Sequence, residues 1–456
     1  MKSVSIRAIY LLILIPLIGL PNHGISQSAL DQYVELGLSS NLAIQQSDLQ
    51  VAKRQQALRE AKGLFLPYVS FQASYTVAAG GRSLDFPVGD LLNPVYATLN
   101  ELTETNQFPT NIENVNEQFL PHNFQETYVR VVQPVFNSDI LFNRRAQDDL
   151  LKAEGFQREA FQRELVRDIK TAYFAYLQTE DALRINRETR VLLEEILRVN
   201  RSLVDNDKAT RDVIYNAEFE LRKLDKEQAQ TLQRNQSARA YFNFLLNRPL
   251  DSDIEIDTTW FNPEQQSLIN LEVEAPGRRP EIAQFEASIN AVENQEKVEQ
   301  WGILPKVNAI FDMGFQGFGY DFANQEYAMA RVGLQWDIFQ GFRRDARRQQ
   351  AALDRKTLEK RQEATSQQIQ LQVREAWYQL AAAQASLEAS KSGVQDATAA
   401  FDIISKKYRE SQANWLELLE ARNRFTLAQI SQSIDTYSVW ARMAELEYAA
   451  GTAQIP

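Results

Sequence analysis

The sequence predicts a mainly α-helical protein with a β-barrel part, built on a duplicated unit of helix, strand, strand and long helical hairpin. Three observations carry this reading. Two very long stretches, about Asp139–Asp205 and Phe342–Tyr408, contain one glycine each and no proline. The apolar pattern of the second stretch recurs in the first, 204 positions earlier. Ahead of each long stretch the apolar period changes from helical to two.

Residues 1–26 read as a secretory leader. Lys2 and Arg7 precede the apolar run AIYLLILIPLIGL, and Gly24 and Ser26 are the small residues before a cut at Gln27. The run is too short to span a bilayer as a helix. No cysteine follows it, so no lipid anchor on the new N-terminus is expected. The chain has no cysteine at all, which removes disulfides, thiolate metal sites and cysteine nucleophiles together. His122 is the single histidine beyond the leader and cannot build a zinc site or a serine triad alone. No cofactor and no metal is therefore expected. The net charge of −11 makes nucleic acid a poor partner.

The first repeat spans 27–247. After an opening helix, a strand over 67–78 places Val69, Phe71, Ala73, Tyr75 and Val77 on one face and Ser70, Gln72, Ser74 and Thr76 on the other. A long segment over 79–123, rich in Asn, Pro and Gly, reads as a loop before the second strand, 124–136. Arg130 in that strand must face inward or sit near an interface. A helical hairpin over 139–247 completes the unit, with its turn at DNDKAT.

An irregular connector over 248–279 leads to the second repeat, 280–456. Its strands are expected at 305–317 and 326–339, joined by the short QGFGYDFANQ, and its helical hairpin at 342–450 turns at ESQAN. Within that hairpin Ile369, Val373, Ala376, Leu380, Ala383 and Leu387 are spaced as a heptad seam. Their counterparts are Leu165, Ile169, Ala172, Tyr176, Thr179 and Leu183, and the same offset pairs Ala217 with Ala421 beyond both turns.

Strands of this length, apolar on one face, suit an outer-membrane barrel. Four strands are too few to close one, so the barrel reading demands several copies of the chain. Each long helix would run roughly 100 Å at 1.5 Å per residue, which implies an elongated molecule.

On these features the chain resembles the TolC family of outer-membrane efflux and secretion channels. The resemblance rests on the order of elements given twice, and on LxxYVELGLSSNLAIQ, RPEI at Arg279–Ile282, LP before each first strand, QPVF at Gln133–Phe136 and DIFQGFRR at Asp337–Arg344. It implies a homotrimer whose 12-stranded barrel continues into a periplasmic coiled-coil tunnel. It also implies a passive duct, serving a periplasmic adaptor (a membrane fusion protein) and an inner-membrane transporter. At the second hairpin turn the family carries a tyrosine, an arginine and two acids three residues apart. Here Tyr408 matches the tyrosine, Glu417 and Glu420 match the acids, Ala413 replaces the arginine, and Ser411 replaces a turn glycine. Asp207, Lys208, Ser411 and Gln412 would then be the adaptor-contact tips.

Glu417 and Glu420 share a helix face. Three copies would set a ring of carboxylates around a narrow bore, attracting cations and repelling anions. The plainer reading is a solvated acidic face. Their first-repeat equivalents are Val213 and Asn216, so the acids mark one hairpin alone.

Other features are assigned to structure. Arg144 and Arg145 correspond to Arg347 and Arg348 at an offset of 203, and both pairs follow a strand that would leave the membrane. Lipid phosphates or neighbouring acids are their expected contacts, and a solvated helix start is the plainer reading of the same residues. Tyr320, Phe322, Tyr327 and Trp336 fit a barrel aromatic girdle, and core packing would use the same residues. Trp377 and Trp415 read as packing residues, and Met313 and Met329 are too few for a copper ladder. Two rival functions fit the same sequence. One is an exported hydrolase using Glu417 and Glu420, and the other is a periplasmic structural coiled coil.

Overall fold

A computed structural model describes residues 28–257 and 268–453. The leader and part of the connector lie outside the described residues. In chain order the elements are α1 (Ala29–Ser40), α2 (Leu42–Gly63), β1 (Tyr68–Thr76), β2 (Ser83–Phe86), α3 (Val88–Thr103), β3 (Val115–Gln118) and β4 (Phe124–Phe136). Then come α4 (Ser138–Asp205), α5 (Asp212–Leu245), α6 (Leu268–Arg278), α7 (Pro280–Trp301), β5 (Lys306–Phe318), β6 (Glu326–Gln335), α8 (Arg343–Arg409) and α9 (Trp415–Ala450). Helix α4 has 68 residues and α8 has 67.

The described chain falls into two compact units. One takes the chain up to Gln45, Phe161–Arg278 and the chain from Leu371 onward. The other takes Gln46–Ala160 and Arg279–Gln370.

The first unit is helical, and its core is a seam. Leu165, Ile169, Ala172, Tyr173, Tyr176 and Leu177 of α4 pack with Phe242, Leu245 and Leu246, with Leu30 and Val34 of α1, and with Ile44. Each large apolar side chain so buried contributes about 1.5–3 kcal/mol relative to exposure. The opening helix is two helices rather than one, because Asn41 breaks it. The Asn41 Oδ1 accepts from the Ala43 N–H at 2.9 Å, capping α2, while its Nδ2 donates to the Leu245 carbonyl at 2.8 Å.

The second unit holds a four-stranded antiparallel sheet in the order β1-β4-β5-β6. Its register builds two unlike faces. Val69–Val131–Phe311–Ala330 and Phe71–Val129–Met313–Ala328 run across one face, with Ala309–Val332 and Val307–Leu334 continuing it. Ser70–Arg130–Asp312–Met329 and Gln72–Tyr128–Gly314–Tyr327 run across the other. On the apolar face Phe71, Met313, Val332 and Leu334 are exposed.

Three expectations need correction. The segment 79–123 is no plain loop: it folds into α3 and the β2–β3 pair. The strap after α3 is fixed by polar side chains that give and take. Asn93 donates to the Ile112 carbonyl and accepts from its N–H, and Asn100 does the same with Phe108. These asparagines read as turn residues in sequence, yet here they staple a helix to a strap. The connector 248–279 ends in the helix α6. Finally, strand β6 stops at Gln335 instead of running to 339. Trp336 instead donates its indole N–H to the Ile303 carbonyl at 2.9 Å.

Candidate functional site

The two hairpin turns carry the same backbone device. At the first, Lys208 N–H bonds the Leu203 carbonyl at 2.8 Å and Asp207 N–H bonds Val204 at 3.0 Å. At the second, Gln412 N–H bonds Lys407 at 2.7 Å and Ser411 N–H bonds Tyr408 at 3.0 Å. Both are Schellman closures, and the left-handed residue is Asp207 (φ 58°) in one and Ser411 (φ 61°) in the other. The offset between these two residues is the 204 of the sequence repeat. Thus Ser411 adopts the conformation that glycine takes most cheaply, and Asp207, Lys208, Ser411 and Gln412 all lie exposed at the tips.

Glu417 is the third residue of α9 and closes a capping box. Its backbone N–H donates to Asn414 Oδ1 at 3.0 Å, and its carboxylate accepts from the Asn414 N–H at 3.2 Å. Glu420 pairs instead with Arg424, one turn on. Both glutamates are exposed on the protomer. The first hairpin has Thr210 and Val213 at the matching places and cannot build this box. Capping therefore supplies a local reason for an acid at Glu417, independent of any ring.

Tyr408 is buried, not open to a bore within the protomer. Its hydroxyl donates to Asn200 Oδ1 at 2.6 Å, and Asn200 Nδ2 donates to the Val213 carbonyl at 2.8 Å. Its ring packs with Ile196, Phe401 and Leu418, and Ala413, Trp415, Ala421 and Phe425 close the cluster. Burial pushes the Tyr408 hydroxyl up to about 12, with Asp212 adding to the effect. Ala413 fills a packing place here, and Trp415 packs against Tyr408 at 6.4 Å between rings.

The residues that sequence reasoning missed lie one turn away. Arg422 of α9 donates from Nη2 to Glu220 Oε2 of α5 at 2.6 Å, with both side chains buried. Asn200 is fully buried. A signal existed: Glu220 sits between Ala217 and Leu224, and Arg422 follows Leu418, all at seam spacing. A charge in an apolar seam must be paired, although the spacing does not name its partner.

In the second unit, Arg130 lies on the polar face of the sheet. Its Nε meets Asp312 Oδ1 at 2.7 Å and its Nη2 meets Oδ2 at 2.9 Å, while its guanidinium stands over the Tyr128 ring. Tyr320 and Phe322 cluster with Phe315 at the β5–β6 turn, and Tyr75 packs on Tyr320. Trp336 stands at the opposite end of these strands. Tyr327 does not join such a girdle, because its register against Gly314 puts it on the polar face beside Tyr128. Of the basic residues, Arg347 pairs with Glu299 at 2.9 Å and Arg348 with Asp345 at 3.6 Å. Arg145 stands over the Phe142 ring, and Arg144 is exposed and makes no ion pair among the described residues.

Among the described residues no helix is long and apolar enough to cross a membrane, and no group of acids and histidine is placed to hold a metal.

Residues 271–452 match the family model described as outer membrane efflux protein. Over these residues the chain is similar to the outer membrane efflux proteins. Solved channels share the fold of nearly the whole chain. The outer-membrane channel OprN is similar at 16% identity and a TM-score of 0.75, over 94% of this chain and 91% of that one. The MtrE outer membrane channel of Neisseria gonorrhoeae, in its open state, gives 14% identity and a TM-score of 0.74, over 93% and 89%. The outer membrane protein VceC of Vibrio cholerae gives 15% and 0.72, over 92% and 96%. No curated protein matches the chain by sequence.

Proposed function

We propose that the protein is a passive outer-membrane duct, working as a homotrimer with a periplasmic adaptor and an inner-membrane transporter in efflux or type I secretion. The four-stranded sheet carries this reading. Its apolar face is continuous across all four strands, and β1 and β6 leave two unpaired edges. Unpaired edges are not tolerated in lipid, so β6 of one copy pairs with β1 of the next until the sheet closes. Three copies give 12 strands, enough for an open barrel. The apolar face then meets lipid and the Arg130–Asp312 face lines the lumen. The helical hairpins would form the tunnel on the periplasmic side, with the tips at Asp207–Lys208 and Ser411–Gln412 offered to the adaptor.

At the tunnel mouth, Glu417 and Glu420 form the acidic ring. Both carboxylates are exposed on the protomer, as a ring requires, although Glu417 also caps its helix. A hydrolytic role has less support, because one carboxylate is held in the cap and the other by Arg424. The deciding experiment reconstitutes purified trimers of the wild type and of Glu417→Gln/Glu420→Gln in planar bilayers. The ring predicts altered conductance and lost block by divalent cations in the variant, with trimers intact. Unchanged conductance and block would remove the ring, and extraction of the protein without detergent would remove the barrel.

A further inference from the structure

We propose that the polar face of the sheet carries an anion-binding belt built on Arg331 and Arg130, suited to small polyanions such as polyphosphates. The proposal rests on the duct reading, by which this face lines the lumen. Asp312 lies at the centre of the face and is 1% exposed. Arg130 covers it with two parallel hydrogen bonds, at 2.7 and 2.9 Å, and the Tyr128 ring backs the guanidinium at 4.9 Å. Two of its five donors are used this way, and its side chain stays 30% exposed.

Arg331 is the second cation. It stands opposite Ile310, two residues from Asp312 on β5, and therefore on the same face. Such diagonal neighbours lie about 7–8 Å apart at Cα. Arg331 is exposed and makes no ion pair among the described residues. Locally, two guanidiniums thus stand against one carboxylate, and that carboxylate is the covered member. The next acid on this face, Glu126, is set apart by the row Gln72–Tyr128–Gly314–Tyr327. Towards the other end of β5, Lys306 is neutralised by Asp139. The exposed charge of this part of the wall is therefore positive, although the chain as a whole is acidic. Guanidinium forks match phosphate oxygens two at a time, and arginine rings are a known device of anion-selective pores. Three copies would repeat the belt around the lumen at one height.

The test uses the full-length trimer in planar bilayers, with tripolyphosphate added to each side in turn. The belt predicts reversible block of the current that weakens as salt rises. Arg331→Gln should weaken the block roughly tenfold, the size of one charge-assisted contact. Arg331→Lys should retain most of the block, and Arg331→Glu should abolish it and move the reversal potential towards cations. Conducting channels that tripolyphosphate does not block, or that Arg331→Gln leaves equally blocked, overturn the belt while the duct stands. A wild type with no conductance at all removes the duct reading and the belt with it.

Discussion

Arg422 on α9 and Glu220 on α5 form an ion pair that is buried on both sides, Nη2 to Oε2 at 2.6 Å. Removing either partner leaves the other charge desolvated and alone, which costs about 3–5 kcal/mol. Arg422→Met and Glu220→Met should each destabilise the protein strongly, and the double variant should recover most of the loss. Urea unfolding followed by circular dichroism checks this. Single variants that cost less than about 1 kcal/mol, as an exposed pair would, contradict the burial.

The capping box makes a second, smaller prediction. Asn414→Ala removes the acceptor for the Glu417 N–H and should cost about 1 kcal/mol. Asn414→Asp should preserve the cap. If both variants unfold alike, the cap contributes nothing and the asymmetry between the hairpins needs another cause.

Tyr408 links stability to pH. Its folded hydroxyl is pushed up to about 12, above its ordinary value, because burial disfavours the phenolate. The unfolded chain therefore loses this proton first as pH rises, and the contribution of Tyr408 is fully present below the unfolded value, near 10. It declines as pH climbs towards 12. Tyr408→Phe leaves Asn200 Oδ1 without its donor and should cost about 1–3 kcal/mol at neutral pH. The gap between wild type and variant should narrow between about pH 10 and 12. A gap independent of pH would show that Tyr408 ionises as an exposed tyrosine does.

Asp207 and Ser411 hold positive φ without being glycine. Asp207→Gly and Ser411→Gly should therefore be neutral or stabilising, by up to about 1 kcal/mol each. Alanine at either place gains no such relief. Melting temperatures of the four variants rank the two effects, and a destabilising glycine would point to side-chain contacts at the tips.

Much of the architecture was legible from residues alone. The period-two pattern of Val69–Val77 and Ala328–Leu334 marks strands because alternation can bury only one face of a sheet. The seam at Ile369–Leu387 and its copy at Leu165–Leu183 mark long helices because heptad spacing keeps one stripe facing a partner. Even the two turns declare themselves, since a fixed offset of 204 pairs Asp207 with Ser411 and both adopt the same left-handed closure. These are properties of neighbours in the chain, or of a repeat that a sequence carries in full.

What only the tertiary structure decided involves partners far apart in the chain. Arg130 finds Asp312, Arg422 finds Glu220, and Tyr408 finds Asn200, each across a separation of about 200 residues that no local period encodes. Tyr327 moved from the girdle to the polar face because strand register, fixed by its pairing with Gly314, outranks residue type. The stapled α3 emerged from a stretch that reads as loop because asparagine's hydrogen bonds declare a direction only when their acceptors are in place. Local pattern thus determined the elements, and the pairing of distant polar groups decided which faces they show and how the hairpins are held.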